Sequence, residues 1–311
     1  MSEIVIGTRR SKLARIQTTF VREALERARP GIAISEKVIV TKGDRVLDAP
    51  LAKIGDKGLF TREIEAELLN GDIDLAVHSY KDLPTELPEG CAVGAALERV
   101  PPEDALIAAP GTTLANLPAG ARVGTSSLRR IAQLLHARPD LVPVDVRGNV
   151  NTRIEKLDAD EYDALILARA GVMRMGCEDR IACILGPEGW YHAVSQGAIA
   201  VEIRAGDARI GGLVGELDHG PTRNATDAER SFLRVLEGGC QVPVGVRTTI
   251  DDKQLTLAGM VSDLKGESFI EGVESGPEES AAEIGRRLAE KLLSLGANEI
   301  LDCIRRRQEQ P

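Results

Sequence analysis

The chain has 311 residues, enough for two or three domains with cores of their own, and its 43% hydrophobic and 28% charged content is ordinary for a globular protein. Against 39 basic residues stand 48 acidic ones, a net charge of −9, and aromatics make up only 3%; a nucleic-acid surface, which needs basic charge and stacking platforms, is excluded as the main role. The five cysteines (Cys91, Cys177, Cys183, Cys240, Cys303) form neither a CxxC pair nor a zinc spacing and no metal site is expected, which points to free thiols in a reducing compartment.

Met1–Ile6 is too poor in apolar residues for a secretory signal, and no run approaches the roughly 18 apolar residues of a membrane span, so a cytoplasmic protein without membrane contact is expected. Ile4–Gly7 reads as a strand ending at Gly7-Thr8, followed by a helix with Leu13, Ile16, Phe20 and Leu25 on its apolar face. Ile32–Val40 reads as a second strand. Thr41–Gly58 is a long polar segment rich in glycine and lysine, the character of a lid carrying Lys53 and Lys57; the Gly-Lys-Ser/Thr ending of a Walker loop is missing. Leu59–Leu69 reads as a helix with Thr61 as a cap, and Ile73–Val77 as a buried strand. This alternation predicts a parallel, doubly wound sheet.

After Cys91–Leu97 the composition breaks at Val100-Pro101-Pro102 and a second α/β series begins. Arg122–Gly124, Val142–Val146 and Ala164–Leu167 read as strands, Ser127–His136 as a helix, and Thr152–Leu157 as a helix with Thr152 and Glu155 at capping-box spacing. Tyr191–Ile203 is strand-like at its end. From His219-Gly220-Pro221 onward come a helix (Asp227–Leu236), three strand-like runs (Val242–Ile250, Gln254–Val261, Ser268–Glu274) and closing helices from about Glu278, which together suit a small α+β domain. Val5-Ile6-Gly7-Thr8-Arg9-Arg10-Ser11 is echoed by Arg122-Val123-Gly124-Thr125-Ser126-Ser127, so two similar lobes are expected, each aiming a helix N-terminus at a shared cleft.

Three features carry chemistry. Arg9 and Arg10 follow the first strand, Arg129 and Arg130 open a helix, and Arg147 and Arg153 flank the run Gly148-Asn149-Val150-Asn151-Thr152. A single surface arginine is most often a solvated salt-bridge partner. A set of them at strand ends of a doubly wound fold is better read as an anion site, because arginine pairs bidentately with carboxylates and ligands gather at those ends. His78-Ser79-Tyr80-Lys81-Asp82-Leu83-Pro84 leaves a buried strand, placing Lys81 and Asp82 at its tip; His78 itself reads as a packed, hydrogen-bonded side chain. Finally, Leu236-Glu237-Gly238-Gly239-Cys240-Gln241-Val242-Pro243 displays one cysteine after a glycine pair, suited to covalent attachment, with no neighbouring histidine to activate it. Cys91 and Cys303 read as core or helix-face thiols.

These segments, together with Lys53–Phe60 and Gln196-Gly197-Ala198, run in an order that resembles the porphobilinogen deaminase (hydroxymethylbilane synthase) family over most of the chain. The resemblance implies an α/β protein of two periplasmic-binding-protein-like, doubly wound lobes (1–98 with 197–217, and 102–192) and a small C-terminal α+β domain (220–311). It implies a dipyrromethane cofactor on Cys240 through a thioether, acting as primer for four porphobilinogen units added with loss of ammonia before water releases the linear tetrapyrrole. Asp82 would be the catalytic carboxylate that stabilises cationic intermediates. Ser79, Lys81, Ser127, Arg129, Arg130 and Arg147 would hold the cofactor; Arg9, Ser11, Arg147, Arg153 and Arg174 would take the carboxylates of porphobilinogen and the growing chain; Lys53 and Lys57 would lie on the lid. A monomer without nucleic-acid or membrane partners is implied. The chain departs from the pattern at Ser195, where the family carries glycine; if that position needs φ > 0, serine costs roughly 1 kcal/mol. Tyr80 falls at a variable position. Two other readings, a small-carboxylate-binding protein on the same lobes and a cysteine acyl transferase or hydrolase, would not need both Asp82 and an unassisted Cys240.

Overall fold

The computed structural model describes residues 3–45, 58, 60–186, 189–236 and 242–309. From the N-terminus come β1 (Ile4–Arg9), α1 (Lys12–Ala28), β2 (Ile34–Ile39), the short α2 (Lys42–Arg45), α3 (Arg62–Asn70), β3 (Leu75–Ser79) and β4 (Cys91–Ala96). Then follow β5 (Asp104–Ile107), β6 (Arg122–Gly124), α4 (Leu128–Ala137), β7 (Val142–Val144), α5 (Val150–Asp158), β8 (Ala164–Ala168), α6 (Arg169–Arg174) and β9 (Ile181–Leu185). The chain continues through β10 (Ile199–Arg204), α7 (Ala208–Val214) and α8 (Gly220–Val235). It closes with β11 (Val244–Asp251), β12 (Gln254–Ser262), β13 (Phe269–Pro277), α9 (Ala281–Leu292) and α10 (Asn298–Glu309). Two compact units result: Met1–Val100 with Gly197–Arg223, and Pro101–Gln196 with Asn224–Pro311.

The first unit holds a sheet of order β2-β1-β3-β10-β4, and the second a sheet of order β7-β6-β8-β5-β9. Each has three parallel strands followed by an antiparallel pairing on either side of its fourth, β10 or β5. The wholly parallel sheet expected from βαβ alternation is therefore corrected to a mixed one. The physical reason lies in the connections: β5 is the first strand after the chain leaves the first unit, and β10 the first after it returns, so each is inserted from outside the βαβ winding. β5 (Asp-Ala-Leu-Ile) and β9 (Ile-Ala-Cys-Ile-Leu) are short runs with no apolar–polar alternation, and the sequence reading missed both.

Both faces of each sheet are covered. In the first, Ile4 and Ile6 pack with Val21 and Leu25 of α1 and Ile210 and Val214 of α7, while the opposite face meets Ile64 and Leu68 of α3. In the second, Val123 and Leu134 sit in one core and Ile154, Leu165 and Val172 in the other. Period-2 alternation along β1 thus supplies two cores at once. Gly7 and Gly124 occupy equivalent places: a Cβ would lie 2.4 Å from Ile73 Cδ1 at the first and 2.4 Å from Leu165 Cδ2 at the second. At both places the glycine lets a neighbouring side-chain tip pack directly on the strand backbone.

Helix α1 turns a different face inward from the one expected. Its buried residues are Ala14, Gln17, Thr18, Val21 and Leu25, whereas Phe20 is 43% exposed. Near the end of β1 the inner face must satisfy polar groups: the Thr18 hydroxyl donates to Thr8 Oγ1 at 2.7 Å and Gln17 Nε2 to Ser79 Oγ at 2.9 Å. The cap of α5 also differs. Asn149, not Thr152, takes the N-cap, its side chain accepting from Thr152 N at 3.0 Å. Thr61 does stand at the N-cap of α3, but its side chain makes no capping bond.

Strands β11-β12-β13 form an antiparallel meander. Its inner face packs on Ala228 and Phe232 of α8, Ile284 and Leu288 of α9, and Leu301 and Ile304 of α10. The final helical stretch breaks at Gly296 (φ 105°), which separates α9 from α10. No helix of the described residues is long and apolar enough to cross a membrane.

Candidate active site

In the first unit, Arg9, Ser11, Ser79 and Asp82 line one small cleft together with Gln17 and Phe60. Arg9 closes β1, and Ser11 caps α1 by accepting from Ala14 N at 3.3 Å. Ser79 ends β3 and is held by the Gln17 amide. A 3-10 turn, Tyr80–Asp82, follows at once. Tyr80, to which the sequence reading gave no role, anchors that turn: its ring is 2% exposed and its N–H donates to Ala198 O at 3.0 Å. With Leu83 also buried, the turn leaves Asp82 exposed and Lys81 half-buried at the strand tip.

Arg9 is oriented by Asp44, which no motif singled out, and by Phe60, the last residue of the Lys53–Phe60 segment. Its Nη2 donates to Asp44 Oδ1 at 2.6 Å, and its guanidinium lies 4.1 Å over the Phe60 ring. Arg9 Nε is buried with no partner among the described residues. Burial pushes the Asp44 carboxyl up, but the bonds and charge of Arg9 and the bonds from Thr41 outweigh it and hold the group below the usual carboxylate range. His78 is buried as expected, with Nε2 3.0 Å from Glu202 Oε2, but that approach lacks hydrogen-bond geometry and Nε2 has no hydrogen-bond partner among the described residues. Burial and the nearby Glu202 and Glu65 charges push the Cys91 thiol up to about 12, so it is a poor nucleophile.

The second unit gathers most of the arginines. Arg129 and Arg130 lie in the first turn of α4, directly after Ser127, which stands at the N-cap without a side-chain capping bond. Both arginines turn inward and are buried, and both meet a residue that sequence reasoning passed over. Asp104, at the start of β5 and wholly buried, accepts from Arg129 Nη1 and Arg130 Nη2, each at 2.7 Å. Trp190 Nε1 at 2.9 Å and Gln196 Nε2 at 2.8 Å complete four bonds to the same carboxylate. Burial alone would raise this carboxyl; the two guanidinium charges hold it well below the usual range. Arg129 also donates to Tyr191 O at 2.6 Å, and Arg130 to Ile166 O at 2.9 Å. Arg130 Nε is buried and has no partner among the described residues.

Arg153 lies in the first turn of α5, and Arg147 on the turn between β7 and α5. Gly148 there has φ 111°, a backbone that favours glycine, and its carbonyl accepts from Arg153 Nε at 2.8 Å. Arg147 Nε is 3.7 Å from Asp145 Oδ2. Burial, then the positive charges of Arg130 and Arg147, push Arg153 down to about 10. Arg174, in the last turn of α6, is pushed down to about 10 by burial. Positive charges close enough to push Arg153 down mark a place where an anion is favoured. Arg130, Arg147 and Arg153 therefore form one electropositive cluster, with Arg129 tied to it through Asp104.

The fold thus collects Arg9, Ser11, Ser79 and Asp82 in one unit and Arg129, Arg130, Arg147 and Arg153 in the other. Cys240, Lys53 and Lys57 lie outside the described residues. Asp104, Asp44 and Trp190 were not found from sequence; an isolated aspartate opening a short strand carries no spacing signal. Among the described residues no cluster of histidine, cysteine and carboxylate groups suits a metal. The residues of the second unit fit an anionic pyrrole cofactor, since a buried guanidinium nitrogen of Arg130 has no partner among the described residues and Arg129 and Arg130 together exceed the charge of Asp104.

Comparison with known proteins gives a consistent result. Residues 4–211 match the family described as "Porphobilinogen deaminase, dipyromethane cofactor binding domain", and residues 224–294 match "Porphobilinogen deaminase, C-terminal domain". A protein named porphobilinogen deaminase from Moorella thermoacetica is 52% identical over 309 residues, covering 98% of this chain and 97% of that one. One of the same name from a Synechococcus species is 52% identical over 303 residues, covering 96% of each. A solved BvgS VFT2 domain from Bordetella pertussis aligns with 69% of this chain and 86% of its own at 12% identity and a TM-score of 0.41, too weak a likeness to bear on the argument. Matched by its family along both units and at half identity over nearly its whole length, the chain belongs to the porphobilinogen deaminase family.

Proposed function

We propose that this chain catalyses the head-to-tail condensation of four porphobilinogen units, each losing ammonia, followed by hydrolytic release of hydroxymethylbilane. The observation that carries the reading is the surplus of guanidinium charge in the second unit, where Arg129 and Arg130 share the one buried carboxylate of Asp104 and the charges of Arg130 and Arg147 reach Arg153; it suits a polyanion such as a chain of pyrroles bearing acetate and propionate groups. A dipyrromethane bound to Cys240 supplies the nucleophilic pyrrole on which the chain grows. Ser127, Arg129, Arg130 and Arg147 are read as holding its carboxylates, and Ser79 and Lys81 as further cofactor residues. Arg9, Ser11, Arg147, Arg153 and Arg174 bind the carboxylates of incoming and added units.

Asp82 does the electrostatic work. Fixed at the end of β3 by the buried Tyr80 and Leu83, it accepts hydrogen bonds from pyrrole N–H groups and opposes the positive charge that develops as ammonia leaves. Because the turn is anchored before substrate arrives, little reorganisation is needed at the moment of reaction. Lys53 and Lys57 are read as residues of a lid. The second unit is read as two parts, 102–192 and 220–311, with the latter carrying the cofactor cysteine; a cytoplasmic monomer completes the reading.

The test is the intact mass of the purified protein beside Cys240→Ser, before and after incubation with porphobilinogen. The expected result is an excess equal to two deaminated porphobilinogen units in the parent and none in the variant. A parent that stays at its bare sequence mass after incubation overturns the assignment and favours a carboxylate-binding protein.

A further inference from the structure

Asp104 lies outside every motif, yet it is where the arginine pair and the two ends of the second unit's first lobe meet. It opens β5, directly after the chain enters that unit, and it accepts from Gln196, the last residue before the chain leaves it. Gln196 Nε2 also donates to Pro102 O at 2.7 Å, tying the entering and leaving segments together. Between them stands one carboxylate facing two guanidiniums, all three groups at most 7% exposed. That balance leaves one positive charge in excess where water is scarce, and Arg130 Nε without a protein acceptor among the described residues. A buried excess charge is costly unless an anion arrives to meet it.

We propose that Asp104 is a positioning residue for cofactor carboxylate binding: it grips Arg129 and Arg130 by their Nη atoms, fixes the direction of both forks, and reserves the remaining positive charge for a carboxylate. The proposal rests on the arginine roles given under the proposed function. A carboxylate is suited to this place because it satisfies four donors at once, which a neutral amide cannot do without turning its own N–H groups on a guanidinium. Asp104 touches neither cofactor nor substrate in this scheme; it acts through the arginines.

The experiment compares parent, Cys240→Ser, Asp104→Asn and Trp190→Phe by intact mass, as purified and after incubation with porphobilinogen, with folding checked by circular dichroism. The parent and Cys240→Ser test the underlying reading by themselves: if the parent gains no mass, or Cys240→Ser gains as much, that reading fails whatever Asp104 does. Given the expected parent behaviour, folded Asp104→Asn should load at least tenfold less cofactor. Its loaded fraction should show a KM for porphobilinogen raised about tenfold, with kcat within about threefold. Trp190→Phe removes one neutral donor and keeps the charge, so it should load like the parent even if it melts earlier. Normal loading and KM in Asp104→Asn overturn the proposal, as does an equal loss in Trp190→Phe, which would mark general destabilisation. If Asp104→Asn does not fold, Arg129→Met and the double variant Asp104→Asn/Arg129→Met, in which the lost charges balance, take its place. Loading at least fivefold poorer in the double variant supports the proposal, and equal loading overturns it.

Discussion

Ser195 has φ 59°, a left-handed backbone in which a side chain is strained by roughly 1 kcal/mol. It is wholly buried, its N–H is fixed to Glu229 Oε2 at 2.6 Å, and its hydroxyl has no partner among the described residues. The strain foreseen from the departure at this position is therefore present. Ser195→Gly is expected to raise stability by about 1 kcal/mol, relief of strain and of the buried hydroxyl exceeding the added freedom of the unfolded chain. Urea unfolding measures it, and a lower midpoint at unchanged slope would contradict it. Asp82 makes the other prediction at this scale. Asp82→Asn keeps shape and removes charge, so cofactor loading should be preserved while kcat falls by at least about a hundredfold, the magnitude typical of a lost preorganised electrostatic group. Near-parental kcat would remove Asp82 from the chemistry.

At the level of elements, the turn from β7 into α5 shows how a cap serves a site. Asn149 caps the helix, Gly148 takes φ 111°, and the Gly148 carbonyl orients Arg153. Asn149→Ala should cost about 1 kcal/mol of stability and loosen Arg147 and Arg153 together. The kinetic signature should be a KM for porphobilinogen raised several-fold with little change in kcat; parental KM at reduced stability would mean that the cap serves the helix only. The same element shows what pattern reading misses. Thr152 and Glu155 have capping-box spacing, but a better cap stands three residues earlier, and only the backbone path decides between the two. Likewise Phe20 has helical spacing with Leu13 and Ile16, yet the buried stripe of α1 runs through Ala14, Gln17, Thr18 and Val21 because Thr8 and Ser79 must be hydrogen-bonded.

Over the whole molecule, the sequence by itself determined what is local and periodic. Alternation of short apolar runs with amphipathic stretches was enough for α/β winding, the Gly-Thr echo for two similar lobes, and the strand-rich end for a small α+β part. The placement of Asp82 just after β3 and of the arginines near strand ends was legible because these residues stand in contiguous motifs. Tertiary structure alone decided the mixed character of both sheets, since β5 and β10 find their neighbours only after the chain has crossed between units. It alone decided the partners of the arginines as well. Arg9 meets Asp44 across 35 residues of chain, and Arg130 meets Asp104 across 26. Spacing within a segment reports which face a side chain shares with its neighbours; a buried ion pair between segments depends on where two separate elements come to rest, and no local pattern encodes that.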